Sequence, residues 1–418
     1  MEFCVRLGAS NVRRSAMTSL LYLAPVDWNS IRQRPQQLAL RLARRFELTY
    51  VNAVGLRSAR LGDLGRVLRR AAGVSDGSPP FPVLNPKYVP WIGWPAIDAA
   101  NRGWLAHQME HCLSRRPESS ILWIGAPSLL AEALLERTRP KLVVYDCMDR
   151  YGAFHRGRTR ARIERTEQAL VERADMVFTT SRGLAERLAR FTSRVELAPN
   201  GVDTDRFAVR RSAEPPSWRR KIAGPVIGYH GMLGDWIDFP TLEWLADRRR
   251  EWSFVVIGPN GTRRSRRFLS KPNVHYLGPI PYAALPSHTI WFDVGLVPFE
   301  QNDLTCYVHP IKALEYLAAG LPTVSSPLAD LAEVAESVRF ADSPHEWLSA
   351  IEDCLEPQAR AAERIQCRRA AVADRTWDRV AAAMATRLET GLGGHFARLE
   401  EFMEDAFSNS RHPQSLFR

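Results

Sequence analysis

A lysine and a glutamate three residues apart, Lys312 and Glu315, stand near the start of a predicted helix. In Val308–Pro322 (VHPIKALEYLAAGLP), Pro310 can open a helix because the first turn needs no N–H from it, and Gly320 can end it. The two side chains share one face near free N–H groups and the positive end of the helix dipole. That arrangement favours an anion such as a diphosphate, and the glutamate can accept hydrogen bonds from a diol. The spacing also suits a surface ion pair between them.

Two carboxylates, Asp146 and Asp149, follow another predicted strand and are candidates for acid–base chemistry. A carboxylate at a strand end can face a cleft and take a proton from a hydroxyl group. Asp149 is the better candidate for this role because Asp146 can instead cap the following turn. The alternatives are that the carboxylate only positions a substrate, or that both are structural carboxylates.

The loop after the first predicted strand, Asp27–Arg34, also carries charged groups. Arg32 or Arg34 can reach a phosphate, and Asp27 can bind a hydroxyl group. The alternative is that Pro35 opens a helix and Arg34 is an ordinary solvent-facing residue.

Short β-rich apolar runs alternate with amphipathic helical stretches along the chain, which predicts parallel sheets with helices on both faces. The predicted strands are Leu20–Ala24, Leu48–Val51, Ile121–Ile124, Leu142–Tyr145, Met176–Thr179, Val195–Leu197, Val226–Tyr229, Phe254–Ile257, Val274–Tyr276, Val294–Val297 and Thr323–Ser325. The predicted helices include Arg34–Arg45, Thr159–Arg173, Leu184–Phe191, Phe239–Asp247, Ile311–Ala319 and a helical tail, Ala359–Phe407. Ligands of such sheets bind beyond the carboxyl ends of the strands, so the loops at those ends are candidate binding loops.

The composition fits a soluble protein of two domains, with 418 residues, 45% hydrophobic and 25% charged. No apolar run reaches the roughly 18 residues that span a bilayer, and no secretory signal is recognisable. The six cysteines form no C-x-x-C pair, which favours a reduced, cytosolic setting without a disulfide framework.

The net charge of +11 is concentrated in the N-terminal half, where residues 1–200 hold 31 Lys/Arg and 18 Asp/Glu. Arg57–Arg70 places Leu and Val at helical spacing between arginines, which is typical of a basic amphipathic helix on an anionic membrane surface. An ordinary solvated helix face is the alternative. No nucleic-acid-binding motif accompanies the charge, so nucleic acid is not an expected partner.

The pattern P-x-K-x-x-E-Y-x-A-x-G-x-P-x-V from Pro310 resembles the donor-binding signature of GT-B glycosyltransferases, family-4-like, of the bacterial cell-surface polysaccharide (teichuronic-acid/exopolysaccharide) type. Other segments fall in the family's order, and the resemblance covers about residues 19–385. These segments are DWNSIRQRPQQLA (27–39), VVYDCMDRYGAF (143–154), ERADMVFTTSRGLAERL (172–188), LAPNGVDTDRF (197–207), VIGYHGMLGDWIDF (226–239) and WSFVVIGP with NVHYLGPIPYAALP (252–286).

The resemblance implies an α/β protein with two Rossmann-like doubly wound domains facing across a cleft, and with C-terminal helices that can cross back to the N-terminal domain. The expected division is a disordered extension over 1–16 (with Met17 as an alternative start), an acceptor-binding domain over 17–205, a linker over 206–225, a nucleotide-sugar-binding domain over 226–375, and helices and tail over 376–418.

The resemblance also implies a role for individual residues. Glu315 would hold the donor ribose, Lys312 and the loop Asp303–Thr305 would face the diphosphate, and Pro279–Tyr282 would lie along the nucleobase. The expected donor-binding set is Gly231, Gly258, Pro279, Ile280, Leu304, Thr305, Lys312 and Glu315. The expected catalytic set is Asp149, Lys312 and Asp27, the expected acceptor-binding set is Asp27, Arg34 and Asp146, and no metal or other cofactor is expected.

Two positions depart from the broader family. Tyr307 stands where many members have a glutamate eight positions before Glu315, and the segment 231–239 (GMLGDWIDF) lacks the basic pair that many members place there. Lys312, helped by an N-domain arginine, is therefore expected to carry more of the leaving-group stabilisation.

The expectation is a hexosyltransferase, cytoplasmic and peripheral on the inner face of the plasma membrane, which moves a sugar from a nucleoside diphosphate to a glycan or lipid-linked acceptor. The alternatives are a nucleotide-sugar epimerase on the same fold and a non-enzymatic basic membrane adaptor. A zinc-protease spacing, His107 to His111 (HQMEH), and a Rossmann dehydrogenase are weaker alternatives; the latter lacks a G-x-G-x-x-G after the first strand.

Overall fold

The computed structural model describes residues 17–56, 78–114, 119–209, 211 and 214–393. The predicted extension over 1–16, the predicted amphipathic helix Arg57–Arg70 and the tail beyond residue 393 lie outside the described residues.

The first half of the chain forms a seven-stranded sheet in the order β3-β2-β1-β4-β5-β6-β7, with all neighbouring strands parallel. Its strands are β1 (Ser19–Leu23), β2 (Glu47–Val51), β3 (Val83–Leu84), β4 (Ser120–Ile124), β5 (Leu142–Cys147), β6 (Met176–Thr179) and β7 (Val195–Leu197). The strand order reverses between β1 and β4, so the sheet is doubly wound and a ligand-binding crevice is expected at that point.

Helices cover both faces of this sheet, which explains why its strands read as continuous apolar runs. They are α1 (Arg34–Leu42), α2 (Pro95–Met109), α3 (His111–Ser114), α4 (Leu129–Arg137), α5 (Gly157–Arg173) and α6 (Arg182–Leu188), with a 3₁₀ turn at Tyr151–Phe154. All five residues of β4 are buried, and its alternate side chains enter two separate apolar cores on the two faces.

The second half forms a six-stranded parallel sheet in the order β10-β9-β8-β11-β12-β13 around one apolar core. Its strands are β8 (Val226–His230), β9 (Ser253–Ile257), β10 (Val274–Gly278), β11 (Val294–Val297), β12 (Thr323–Ser325) and β13 (Arg339–Phe340). The helices are α7 (Thr204–Phe207), α8 (Ser217–Arg220), α9 (Phe239–Arg248), α10 (Arg266–Leu269), α11 (Leu285–Thr289), α12 (Ile311–Ala319), α13 (Pro344–Leu355) and α14 (Ala362–Ala370), with 3₁₀ turns at Thr305–Tyr307, Ala329–Ser337 and Pro357–Arg360. The predicted two-domain fold is confirmed.

The last described helix, α15 (Trp377–Leu392), returns to the first sheet and shares its core. Trp377 and Leu388 are buried with Trp123 of the central strand β4. The crossing is tight at Gly201, where an added Cβ would lie 2.6 Å from the backbone nitrogen of Trp377. Only glycine leaves room for this approach of the two chain segments, so the predicted return of the C-terminal helices is confirmed.

Described residues of the segment predicted as a linker, 206–225, are attached to the second sheet's core. Trp218 is buried there, and its indole Nε1 donates a hydrogen bond of 2.9 Å to His288 Nδ1. Among the described residues, no helix has both the length and the apolarity that crossing a bilayer requires.

Candidate active site between the two sheets

A cleft of about 1190 Å³ lies between the two halves, where loops from the carboxyl ends of both sheets meet. Its walls include residues after β1, β5, β8, β9 and β11 and the start of α12. This is the position that doubly wound sheets reserve for ligands.

The start of α12 points Lys312 into this cleft. The helix begins after Pro310 and ends at Gly320, whose φ of 81° needs a glycine, so both predicted boundaries are confirmed. The Lys312 ammonium lies 5.4 Å from the ring centre of Phe299 and 5.8 Å from that of Tyr229. Burial lowers the pKa of Lys312 below its ordinary value, while neighbouring carboxylates oppose that shift.

Two glycines make room for this lysine and for the floor of the cleft. Gly231 has φ of 135°, and a Cβ on it would lie 2.0 Å from Cε of Lys312. Gly258 has φ of 133°, and a Cβ on it would lie 2.1 Å from the carbonyl oxygen of Gly231. A side chain at either position would therefore require both backbone strain and displacement of its neighbours.

Glu315 lies one turn further along α12 and is 6% exposed. Burial raises the pKa of its carboxyl to about 8, although Lys312 opposes the shift. Its Oε2 lies 3.7 Å from Nδ1 of His230, but burial lowers the pKa of that histidine to about 3, so the imidazole is neutral at pH 7. The ion pairs of the described residues do not include a Lys312–Glu315 pair, so the surface ion-pair alternative is wrong.

Asp149 reaches the same cleft from the first sheet, after β5. Burial raises the pKa of its carboxyl to about 7, and the charge of Lys312 opposes the shift. The structure thus brings Asp149, Lys312 and Glu315 from two domains to one place. Groups with strongly perturbed pKa values in a cleft are typical of catalytic sites.

Arg34 and Asp146 form a buried ion pair with each other. Both are almost fully buried, and the arginine Nε and Nη2 donate to the Asp146 carboxylate at distances of 2.8–3.1 Å. Its Nη1 donates to the carbonyl oxygen of Ala198 at 2.8 Å. Arg34 is therefore buried, and the alternative that it is an ordinary solvent-facing residue is wrong. The acceptor-binding role of Arg34 and Asp146 stays a prediction, which this ion pair does not favour.

Replacing Asp146 by alanine is expected to lower the free energy of unfolding by about 3–5 kcal/mol, because it leaves the buried Arg34 guanidinium uncompensated. The measurement is urea denaturation followed by circular dichroism. The matched double variant Arg34→Met/Asp146→Leu removes both charges and should recover most of the loss. An Asp146→Ala protein of unchanged stability but raised acceptor KM would instead support direct acceptor binding.

Asp27 and Arg32 both line the cleft. The Arg32 guanidinium lies 6.0 Å from the ring centre of Trp28 in its own domain and 5.8 Å from that of Tyr282 in the other. Arg32 therefore contacts aromatic rings of both domains. Tyr282 also donates a 3.0 Å hydrogen bond to Asp203.

The loop expected to face the diphosphate forms hydrogen bonds within itself. Leu304 and Thr305 line the cleft, but their backbone N–H groups donate to the side-chain oxygen of Asn302 at 2.9 and 3.2 Å. The Thr305 hydroxyl donates to the carbonyl oxygen of Glu300. The phosphate-facing role of this loop stays a prediction, and the N–H groups of Leu304 and Thr305 are not available for it in this arrangement.

Of the four residues predicted along the nucleobase, Pro279–Tyr282, Ile280 and Tyr282 line the cleft, whereas the residues of its walls do not include Pro279 or Pro281. Tyr307, at the position of the missing glutamate, does not line the cleft either. Its ring lies against Gly183, where an added Cβ would be 2.9 Å away, and 5.4 Å below the guanidinium of Arg150. Tyr307 is therefore part of the contact between the domains.

Sequence reasoning missed His230 and Arg150. His230 ends a buried strand, and a polar residue at the carboxyl end of an apolar run was its only signal. Arg150 pairs with Asp303 across the domain contact at 3.4 Å, a relation that no local pattern shows.

Within the described residues, no three His, Cys, Asp or Glu side chains are grouped so that they could hold a metal ion. His107, from the zinc-protease spacing, is exposed on the surface of α2, 3.6 Å from Glu110.

Two family models match the chain in succession. The Glycosyltransferase Family 4 model matches residues 36–206, and the model described as Glycosyl transferases group 1 matches residues 224–357. A Bacillus subtilis (strain 168) protein, whose name assigns it provisionally to teichuronic acid biosynthesis as the glycosyltransferase TuaH, is 27% identical over 231 residues. The match covers 51% of this chain and 58% of that relative.

Solved structures of similar fold cover nearly the whole chain. Sucrose-phosphate synthase from Thermosynechococcus elongatus has a TM-score of 0.67 at 16% identity, covering 90% of this chain and 100% of its own. Anabaena Alr3699/HepE in complex with UDP-glucose has a TM-score of 0.63 at 16% identity, covering 89% and 100%. At this identity the likeness concerns the fold. With two family models in chain order and two doubly wound sheets facing across a cleft, the chain belongs to the family-4-like glycosyltransferases of the GT-B fold.

Proposed function

We propose that this protein transfers a hexose from a nucleoside-diphosphate sugar to a glycan acceptor in the synthesis of a cell-surface polysaccharide. The donor binds the second domain, and a lipid-linked glycan binds the first. The observation that carries the proposal is the meeting of Lys312 and Glu315 of one domain with Asp149 of the other in one cleft.

The donor's diphosphate is placed beside Lys312 at the start of α12, where the ammonium and the helix dipole both favour negative charge. Glu315 meets the ribose hydroxyls, and a carboxyl with pKa of about 8 can both donate to and accept from a diol. Of the described cleft residues, the Lys and Arg side chains are Arg32, Arg34, Lys87 and Lys312, and Arg34 is held by Asp146. Arg32, which spans the domains, is the proposed second cation for the leaving diphosphate.

Asp149 is the proposed base for the acceptor hydroxyl. A carboxylate with pKa of about 7 is half ionised at neutral pH, which suits a base that must take a proton and later release it. The reaction needs no metal ion in this proposal, because Lys312 and Arg32 supply the positive charge that the leaving diphosphate requires.

UDP is the proposed nucleotide, since the solved structure of Anabaena HepE with UDP-glucose has the same fold. The protein would act in the cytoplasm, on the inner face of the plasma membrane, where lipid-linked acceptors are exposed. The TuaH relative, named for teichuronic acid biosynthesis, supports an envelope polysaccharide as the product.

Thermal unfolding with and without nucleotide tests the donor site. UDP at 100 times its Kd is expected to stabilise the folded protein by about 2.7 kcal/mol, with GDP and ADP compared at the same concentration. The variant Glu315→Ala should show a much smaller shift, because it lacks the group that meets the ribose. If no nucleoside diphosphate raises the melting temperature of the wild-type protein, the donor-site assignment is wrong.

A further inference from the structure

Three tryptophans are exposed on one short stretch of the first domain. Trp91, Trp94 and Trp104 have 57%, 65% and 49% of their surface exposed. Large aromatic side chains are mostly buried in folded proteins, so a group of three in the open marks a binding surface. We call the exposed residues of 91–107 the tryptophan face.

The exposed residues that define the tryptophan face are uncharged. Besides the three tryptophans, its exposed residues are Gly93, Pro95, Ala96, Ala99, Ala100, Gly103 and His107. The two charged residues of the same stretch, Asp98 and Arg102, are partly exposed, and both are paired within the first domain. Asp98 accepts hydrogen bonds from the backbone nitrogen of Gly93 at 2.9 and 3.0 Å, and Arg102 pairs with Glu132 at 2.7 Å. An ordinary solvated helix face has polar and charged residues instead.

The support beneath the face is firmly connected to the wall of the cleft. The buried Asn101 side chain bonds both backbone groups of Val89 at 2.8 Å, and Gln108 bonds both backbone groups of Lys87 at 2.9 and 2.8 Å. Lys87 and Trp104 themselves line the cleft. The tryptophan face therefore borders the mouth of the proposed active site on its acceptor side.

We propose that the tryptophan face rests in the interfacial layer of an anionic lipid bilayer and so places the cleft mouth at the membrane surface. This inference rests on the proposed function insofar as the acceptor is lipid-linked. An indole ring with its N–H suits the boundary between headgroups and acyl chains, and uncharged small residues between the rings allow close approach.

The charge of the sequence next to this part of the chain favours lipid over a second protein copy. The chain leaves the described part at Leu56, which lines the same cleft, and residues 57–77 contain five arginines and two aspartates. Lys87, on the cleft wall, is exposed as well. A positively charged sequence complements an anionic leaflet, whereas it would repel the same charge on a second copy.

Flotation of the full chain with vesicles tests the inference without donor or acceptor. Vesicles of phosphatidylcholine alone are compared with vesicles containing phosphatidylglycerol, which should bind the wild-type protein more strongly. The double variant Trp91→Ala/Trp94→Ala changes two residues that do not line the cleft and should lower the partition coefficient about tenfold. A second variant, Ala100→Glu, places a negative charge on the face and should weaken binding to the anionic vesicles.

Matched controls come from exposed positions elsewhere. Phe191→Ala removes an exposed aromatic ring of the same domain, and Ala383→Glu adds the same charge to the exposed side of α15. Both should bind vesicles like the wild-type protein. Unchanged binding of both tryptophan-face variants overturns the inference. A dimer that forms in vesicle-free solution and that the double variant abolishes also overturns it. The same holds if the double variant binds vesicles normally but has a raised KM for a water-soluble acceptor. Nucleotide binding is measured separately, so failure here is distinguishable from failure of the proposed function.

Discussion

Replacing Lys312 by alanine is expected to lower kcat/KM for sugar transfer by about 10²–10³-fold, the usual effect of removing one group that stabilises developing charge on a leaving oxygen. The ammonium lies over two aromatic rings and is partly buried, so its charge acts more strongly than in open solution. The measurement is steady-state kinetics with UDP release as the readout. Arg32→Gln, at the second proposed cation, should cause a smaller loss of the same kind.

The fold should tolerate this change, because burial already disfavours the charged form of Lys312. Urea denaturation of Lys312→Ala is therefore expected to match that of the wild-type protein within about 1 kcal/mol. Lys271→Ala is the matched control, since that lysine forms an ion pair with Asp247 on the surface, and its activity should be normal. Parallel losses of stability and activity in Lys312→Ala would mean that the lysine has a structural role.

Asp149→Asn is expected to lower kcat by about 10²–10⁴-fold, the range that general bases contribute. The ionisation of Asp149 should also determine how the activity of the wild-type enzyme depends on pH. Burial raises the pKa of Asp149 to about 7, and only the ionised form accepts a proton, so kcat/KM should rise as the pH increases through 7. The asparagine variant should lose this rising limb. Its measurement is kcat/KM between pH 5 and 9.

A control separates Asp149 from the other carboxyl group of the cleft. Glu315 has a pKa of about 8, so it titrates close to the same range. Glu315→Gln should bind donor more weakly but keep the rising limb near pH 7. If the limb survives in Asp149→Asn and disappears in Glu315→Gln, Glu315 is the titrating group and Asp149 only positions a substrate.

Local patterns predicted most of the fold. The strands β4, β5 and β8 are buried on both faces, so their sequences are continuous apolar runs that end at clear boundaries. The helix α12 was predicted with its exact bounds because Pro310 and Gly320 act through the backbone itself. The short edge strands β3 and β13 were missed, since two residues leave no periodic signal.

The candidate site was harder to predict because its groups meet across long sequence distances. Asp149 and Lys312 were proposed from separate motifs, and their proximity follows from the packing of two domains. The Arg34–Asp146 pair joins residues 112 positions apart, so each looked available for a ligand when only its own loop was considered. Tyr307 was recognised as a departure, but its contact with Gly183 depends on how the domains meet.

The return of α15 to the first sheet has a consequence for the order of events during synthesis. Residues 19–197 leave the ribosome first, yet one apolar face of their sheet is covered by Trp377, Met384 and Leu388. The first sheet therefore cannot complete its core until α15 has been translated. Until then, Leu20, Trp123 and Phe178 lack part of their native covering, and a nascent chain stalled between the domains would expose a surface that chaperones recognise.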